Sequence, residues 1–300
     1  MTDTPGRKGL LLGVGAYVLW GLLPLYLKLL ASVPPAQILA HRVLWSLILL
    51  GALVVLLRRV GEIRAAARGR TLALLGVTAT LIAVNWFVFI WAVGNGHALS
   101  ASLGYFINPL VNVALGVLVL RERLTRLQGA AIALAAAGVL VMAVAGGAGA
   151  LWVPLTLAVS FGTYGLIRKV VAIDALGGLT VETLLLAPIC LGIVLLAARG
   201  GDGAFGHDWR LDLLIVGSGV VTALPLLMFA AAARRMPYST LGLLQYIAPS
   251  MQFVEAAWLF GEPLRPYHAA TFGLIWLGCG LFAWDATRAA GRRTAEPARR

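Results

Sequence analysis

Apolar runs of about 20 residues follow one another from end to end of this 300-residue chain. Each is long enough to cross a hydrocarbon core of roughly 30 Å. A backbone in lipid cannot hydrogen-bond to water, so it must satisfy itself as a helix or as a closed barrel. The runs are rich in Ala, Leu and Gly and show no period-2 alternation, which selects helices. Only 12% of the residues are charged, against about a quarter in a soluble domain. The reading is an all-α integral membrane protein with ten transmembrane helices. They cover about 9–31, 36–57, 71–94, 98–120, 126–145, 151–170, 179–199, 211–233, 239–261 and 267–288. Val33-Pro34-Pro35, the turn at Gly94 to His97 and the Gly146-Gly147 pair mark three of the breaks. The apolar run that starts at Gly9 is too long for a signal peptide and is read as the first span.

The basic residues orient these helices. Arg7, Lys8, Arg58, Arg59, Arg64, Arg68, Arg70, Arg121, Arg123, Arg126, Arg168, Lys169, Arg234, Arg235, Arg288, Arg292, Arg293, Arg299 and Arg300 all fall on one side if the N-terminus is cytoplasmic. Lys28, Arg42, Arg199, Arg210 and Arg265 make up the rest of the 24 and lie on or near the other side. Cytoplasmic loops are the basic ones, so both termini are expected inside, with 289–300 a basic cytoplasmic tail. The net charge of +12 is explained by these loops, and no nucleic-acid partner is expected. Cys190 and Cys279 sit inside apolar segments without CxxC spacing and read as small core residues.

The chain also repeats itself. A slide of 140 residues lays LGYFINPLVNVALGVLVLRERL (103–124) on LLQYIAPSMQFVEAAWLFGEPL (243–264). Pro109 then meets Pro249, Asn112 meets Gln252, Glu122 meets Glu262 and Gly138 meets Gly278. Two halves follow, about 9–145 and 151–288. Five spans per half force the halves into opposite orientations. The loops agree, because Arg121-Glu122-Arg123 has the uncharged-flanked Gly261-Glu262-Pro263 as its twin. Inverted repeats of this kind build secondary transporters, with the substrate near mid-membrane at the interface of the halves.

Polar residues inside spans are the candidates for that site. Tyr105, Asn108 and Asn112 share one helix face, and Gln245 and Gln252 occupy twin positions. They either line a cavity or hydrogen-bond helices together. Trp20, Asn85 and Trp91 add a polar and aromatic wall, or an interface belt. Pro109 and Pro249 each free a carbonyl one turn upstream, a means of kinking or gating a helix. Glu255 is the coupling candidate, as a carboxylate within a span. Glu182 reads as an interface or helix-start charge. Arg42 either pairs with a substrate carboxylate or snorkels outward. Gly129, Ala133 and Ala137 read as a close-packing face. No phosphate loop, HExxH or CxxC pair occurs, so no enzyme activity, metal or cofactor is expected.

These stretches resemble the EamA-type drug/metabolite transporter superfamily, in its RarD-like branch. LWGLLPLYLKLL (19–30), ILAHRVLWSLILL (38–50), NWFVFIWAVGNGH (85–97), ASLGYFINPLVNVALGVLVLRERL (101–124) and QYIAPSMQFV (245–254) carry the resemblance. It implies two EamA repeats, residence in the bacterial inner membrane, and movement of a small organic metabolite or drug. Two positions depart from the branch pattern: Ser100 stands where Glu is common, and Glu255 where an apolar residue is usual. The expected partners are a small-molecule substrate, the lipid bilayer and a coupling ion such as a proton. Efflux or exchange by alternating access leads; a membrane receptor or assembly protein, or a channel, is the alternative. The chain carries no signature of oligomeric state.

Overall fold

A computed structural model describes residues 5–120, 125–233, 235 and 244–295. All regular structure among them is helical. The helices are α1 (Pro5–Gly21), α2 (Leu23–Leu29), α3 (Pro35–Leu56), α4 (Val60–Ala66), α5 (Gly69–Gly94), α6 (Ala98–Leu120), α7 (Arg126–Gly146), α8 (Trp152–Val170), α9 (Ala175–Gly200), α10 (Trp209–Ala233), α11 (Ile247–Val254) and α12 (Pro266–Ala295). Six stretches among the described residues are long and apolar enough to cross a membrane: 8–29, 35–56, 69–94, 126–146, 175–200 and 209–229.

Local chemistry sets most of the ends. Pro35 opens α3 at a position where its missing N–H costs nothing. Thr125 and Gln128 form a reciprocal capping box at the start of α7. Asp174 caps α9 by accepting from the Gly177 N–H, and Gly201 ends that helix in the left-handed conformation.

Three elements differ from the sequence reading. The expected first span is two helices, α1 and α2, parted at Leu22, because Pro24 cannot donate back to the Trp20 carbonyl. The basic loop 58–70 holds the short helix α4. The expected helix 239–261 is described only from Leu244. It turns at Gln245 and Tyr246, restarts as α11, and continues into a π-turn over Glu255–Leu259. The Arg121 to Arg123 mark lies outside the described residues.

Large apolar side chains face outward along these helices, among them Leu29, Ile48, Val55, Leu140, Val144 and Leu196. In water such a surface would be an interaction patch; against lipid it is the expected covering. The core is centred on α5, α6 and α8, through Phe89, Leu103, Phe106, Val153 and Leu157. Neighbours in space are mostly distant in sequence. α7 packs on α12, α6 on α8, α3 on α9 and α10, α1 on α10 and α11, α5 on α8 and α9, and α6 on α11.

The α7–α12 seam shows how tightly this is done. A Cβ on Gly138 would come within 3.0 Å of the Thr271 carbonyl, and one on Gly278 within 2.8 Å of the Ala131 carbonyl. Thr271 Oγ1 donates to the Gly138 carbonyl at 3.2 Å. The buried face of α7 is Ala131, Ala135, Gly138 and Met142. This corrects the sequence reading: Ala133 and Ala137 are exposed, and nothing lies against Gly129. Small residues are abundant all round α7, so size alone does not identify the seam; the backbone approach at Gly138 does.

Candidate functional site

Asn85, on α5, is buried and donates to the Leu157 carbonyl and to Ser160 Oγ, both at 3.0 Å, on α8. Its own oxygen accepts from the Tyr105 hydroxyl of α6 at 3.1 Å. Three helices are thereby pinned at one polar point inside an apolar core. Tyr105 also lies edge-on to Phe161 and tilted against Phe89.

A second polar point joins α6, α11 and α1. Ser102 Oγ donates to the Pro249 carbonyl at 2.8 Å. Gln252 Nε2 donates to the Trp20 carbonyl at 3.1 Å, the acceptor that Pro24 leaves without its helical donor. The Trp20 ring packs with Tyr17 and Phe229. Asn108 is 5% exposed, and its Oδ1 has no hydrogen-bond partner; Gln252 Oε1 and Glu255 Oε2 are likewise buried without one. Buried amide and carboxyl oxygens are normally satisfied; here one on α6 and two a turn apart at the end of α11 are left open. Pro109 lies within α6 and Pro249 in the first turn of α11, just after the break at Gln245 and Tyr246.

A third polar residue is one that the sequence left either paired with a substrate carboxylate or snorkelling near the outer side. Arg42 sits on α3, 3% exposed, about 10 Å along the helix from Pro35. It does not snorkel. Its Nε donates to Thr222 Oγ1 of α10 at 3.0 Å, its guanidinium carbon lies 5.2 Å from the Trp86 ring centre, and Nη1 has no partner. Thr222 Oγ1 spends its proton on the Ser218 carbonyl, which frees a lone pair for Arg42. Tyr26 and Tyr105 are within electrostatic range of the guanidinium. The physical reason for the correction is the partner helix: α10, from the other end of the chain, covers the face of α3 that carries Arg42.

Polar links also close the two ends. At one end Glu182 is fully buried, two turns into α9, rather than at an interface or helix start. It accepts from Thr78 Oγ1 of α5 at 2.6 Å and from the Tyr164 hydroxyl of α8 at 3.3 Å, with Arg168 Nη1 3.7 Å away. Arg59 bridges Glu62 at 2.5 Å and Asp174 at 2.8 Å. The Arg59 hydrogen bond holds the Glu62 carboxyl below its ordinary range. Partial burial works against the charge on Asp174, but Arg59 and the Gly177 N–H outweigh it, and that carboxyl also sits low. At the other end Gln37 donates to the Asp202 carbonyl and accepts from the Ala204 N–H, both at 2.9 Å. There Glu262 receives the N–H groups of Ala98 and Leu99, the first turn of α6, at 2.6 and 2.9 Å.

The structure thus joins Asn85 and Tyr105 at one point and the Trp20 carbonyl and Gln252 at another, while Asn108 and Glu255 are buried on α6 and just after α11. Gln245 is half-buried at the break before α11. Trp91 belongs elsewhere: it stacks on His97 and leans on Trp152 at the far end of α5. The Asn112 side chain lies outside the described residues. No group of three His, Cys, Asp or Glu suited to a metal occurs among the described residues. Two concavities lie along α12 around Gly273 and Trp276, and none of the polar residues above lines them.

Comparison with known proteins gives one consistent picture. The profile of the EamA-like transporter family matches residues 7–144. The chain is 47% identical to Protein RarD of Streptomyces exfoliatus, covering 96% of this chain and 92% of that protein. It is 45% identical to an uncharacterized transporter of Vibrio cholerae (94% of each), and 41% identical to Protein RarD of Escherichia coli (93% and 95%). A solved crystal structure superposes with a TM-score of 0.63 at 18% identity, over 94% of this chain and 99% of that one. That last likeness is one of fold.

Proposed function

The chain belongs to the EamA-like transporter family, as a RarD-like integral membrane protein of the bacterial inner membrane; from that premise we propose that it is a secondary transporter moving a small organic solute by alternating access. In this reading ten membrane helices form two inverted halves, 9–145 and 151–288, with both termini in the cytoplasm.

The α7–α12 seam carries the proposal. Gly138 approaches Thr271, and Gly278 approaches Ala131. Adding 140 to one member and subtracting it from the other turns the first pair into the second. That is what a two-fold axis between the halves requires. The larger pattern supports it. Exchanging the halves turns the α6–α8 contact into α11–α1, and α1–α10 into α8–α5. A seam with this exchange symmetry lets the halves swap roles without a new interface.

The site is assigned to Trp20, Asn85, Tyr105, Asn108, Asn112, Gln245 and Gln252, with Trp91 toward one mouth. Pro109 and Pro249 act as hinges, and Glu255 as the proton site. The Arg59–Asp174 link and the Gln37 and Glu262 links are the inner and outer latches, each joining one half to the other. Efflux or exchange is the direction. The test is flux from proteoliposomes: uptake that saturates and accelerates with solute on the opposite face is expected. Rates that never saturate would make it a channel. Absence of flux across a broad solute panel, together with capture of a membrane partner, would make it a receptor or assembly protein.

A further inference from the structure

A cation held in a protein interior needs a partner, since the loss of hydration is otherwise uncompensated. Arg42 lacks one. It takes part in no ion pair among the described residues. Its hydrogen-bonding neighbour is a neutral hydroxyl, Thr222, backed by Ser218, and its face rests on Trp86. Nη1 is buried and unpartnered. A stacked arginine whose Nε is already fixed by a hydroxyl is pre-oriented, with its remaining fork ready for a planar acceptor pair.

From this we infer that Arg42 is the anion-binding residue of the transport site and that the solute is an organic monocarboxylate, an inference that rests on the transport reading above. Charge counting separates a carboxylate from a phosphate ester. Arg42 has no ion-pair partner among the described residues, so a monoanion matches the guanidinium charge one for one, whereas a dianion would leave a negative charge over. Thr222 holds the guanidinium from α10 while Arg42 rides on α3, so the solute charge sits at a contact between the two halves. Tyr26 and Tyr105 lie within electrostatic range of the guanidinium, and in this reading their rings meet the body of the solute.

The test uses purified full-length protein and four probes that share one ring: benzoate, phenyl phosphate, benzylamine and benzyl alcohol, with phenylacetate and lactate extending the carboxylate arm. Binding is read in detergent as a ligand-dependent rise in unfolding temperature, and flux in loaded proteoliposomes. The carboxylates are expected to bind and to move; the amine and the alcohol are not. Arg42→Gln should lose about 30-fold or more in carboxylate affinity. It should also leave the unliganded protein at least as stable, because it removes an uncompensated charge. Arg42→Lys keeps the charge without the fork and should fall between the two, which provides a second reading if Arg42→Gln expresses poorly. Benzoate affinity unchanged in Arg42→Gln, or preference for benzylamine or benzyl alcohol, overturns the anion site. Preference for phenyl phosphate overturns the monoanion assignment. Carboxylate binding that depends on Arg42 without any flux keeps the carboxylate site and removes the transport reading; absence of both removes both.

Discussion

Arg42 and Gln252 show what a single residue can and cannot say from its place in a sequence. The apolar helix around Arg42 was readable, but its burial depends on α10, which lies some 180 residues away. Nothing local distinguishes a snorkelling arginine from an enclosed one. Asn108 and Gln252 were both candidate cavity amides in the sequence, and their surroundings separate them. Gln252 satisfies the carbonyl freed by Pro24, so Gln252→Ala should cost about 1 kcal/mol of stability, read by denaturant unfolding in detergent. Asn108 Oδ1 has no bond to lose, so Asn108→Ala should leave stability within about 0.5 kcal/mol and lower solute affinity. A fall in stability in Asn108→Ala with normal affinity would make that residue structural. Glu255, one turn after Gln252, holds an open carboxyl oxygen. If it carries the coupling proton, Glu255→Gln should flatten the pH dependence of flux while leaving exchange of solute for solute intact; an unchanged pH profile would remove it from coupling.

Elements were more legible than residues, because their ends are written in Pro, Gly and caps. Pro35 and Thr125 start helices, and the glycines near 146 and 201 end them, where the chemistry says they should. The break between α1 and α2 was missed because Pro24 sits inside an otherwise unbroken apolar run, and hydropathy has no term for a lost N–H. The face of α7 was missed for a related reason: its glycine seam is defined by the backbone of α12. Gly278→Ala should cost about 1–3 kcal/mol by pushing the Ala131 carbonyl away, lowering folded yield without altering solute preference; a normal yield would show that the seam can relax. The α4–α9 link predicts a pH effect. Asp174 and Glu62 both titrate below their unfolded values. Their contribution is therefore present at neutral pH and fades as pH falls through the low folded value, below about 4. Hydrogen exchange in α4 should rise with acidification in the parent protein and much less so in Asp174→Asn.

At the scale of the whole molecule the sequence suggested a repeat but not how its two parts cross. A 140-residue slide lays one stretch on another and says nothing of how the helices embrace. In the structure α1, α3, α5 and α6 find their main neighbours in α8 to α11. This has a consequence for synthesis. When the ribosome has finished α7, the faces of α1, α3, α5 and α6 that carry Arg42, Asn85 and Asn108 have no protein to cover them. The nascent first half must wait in the bilayer with its polar groups held by lipid, water or insertion machinery. Assembly is then limited by the arrival of the last helices and not by the insertion of the first. A chain cut between α7 and α8 should therefore yield two fragments that are each degraded when made alone and that protect one another when made together.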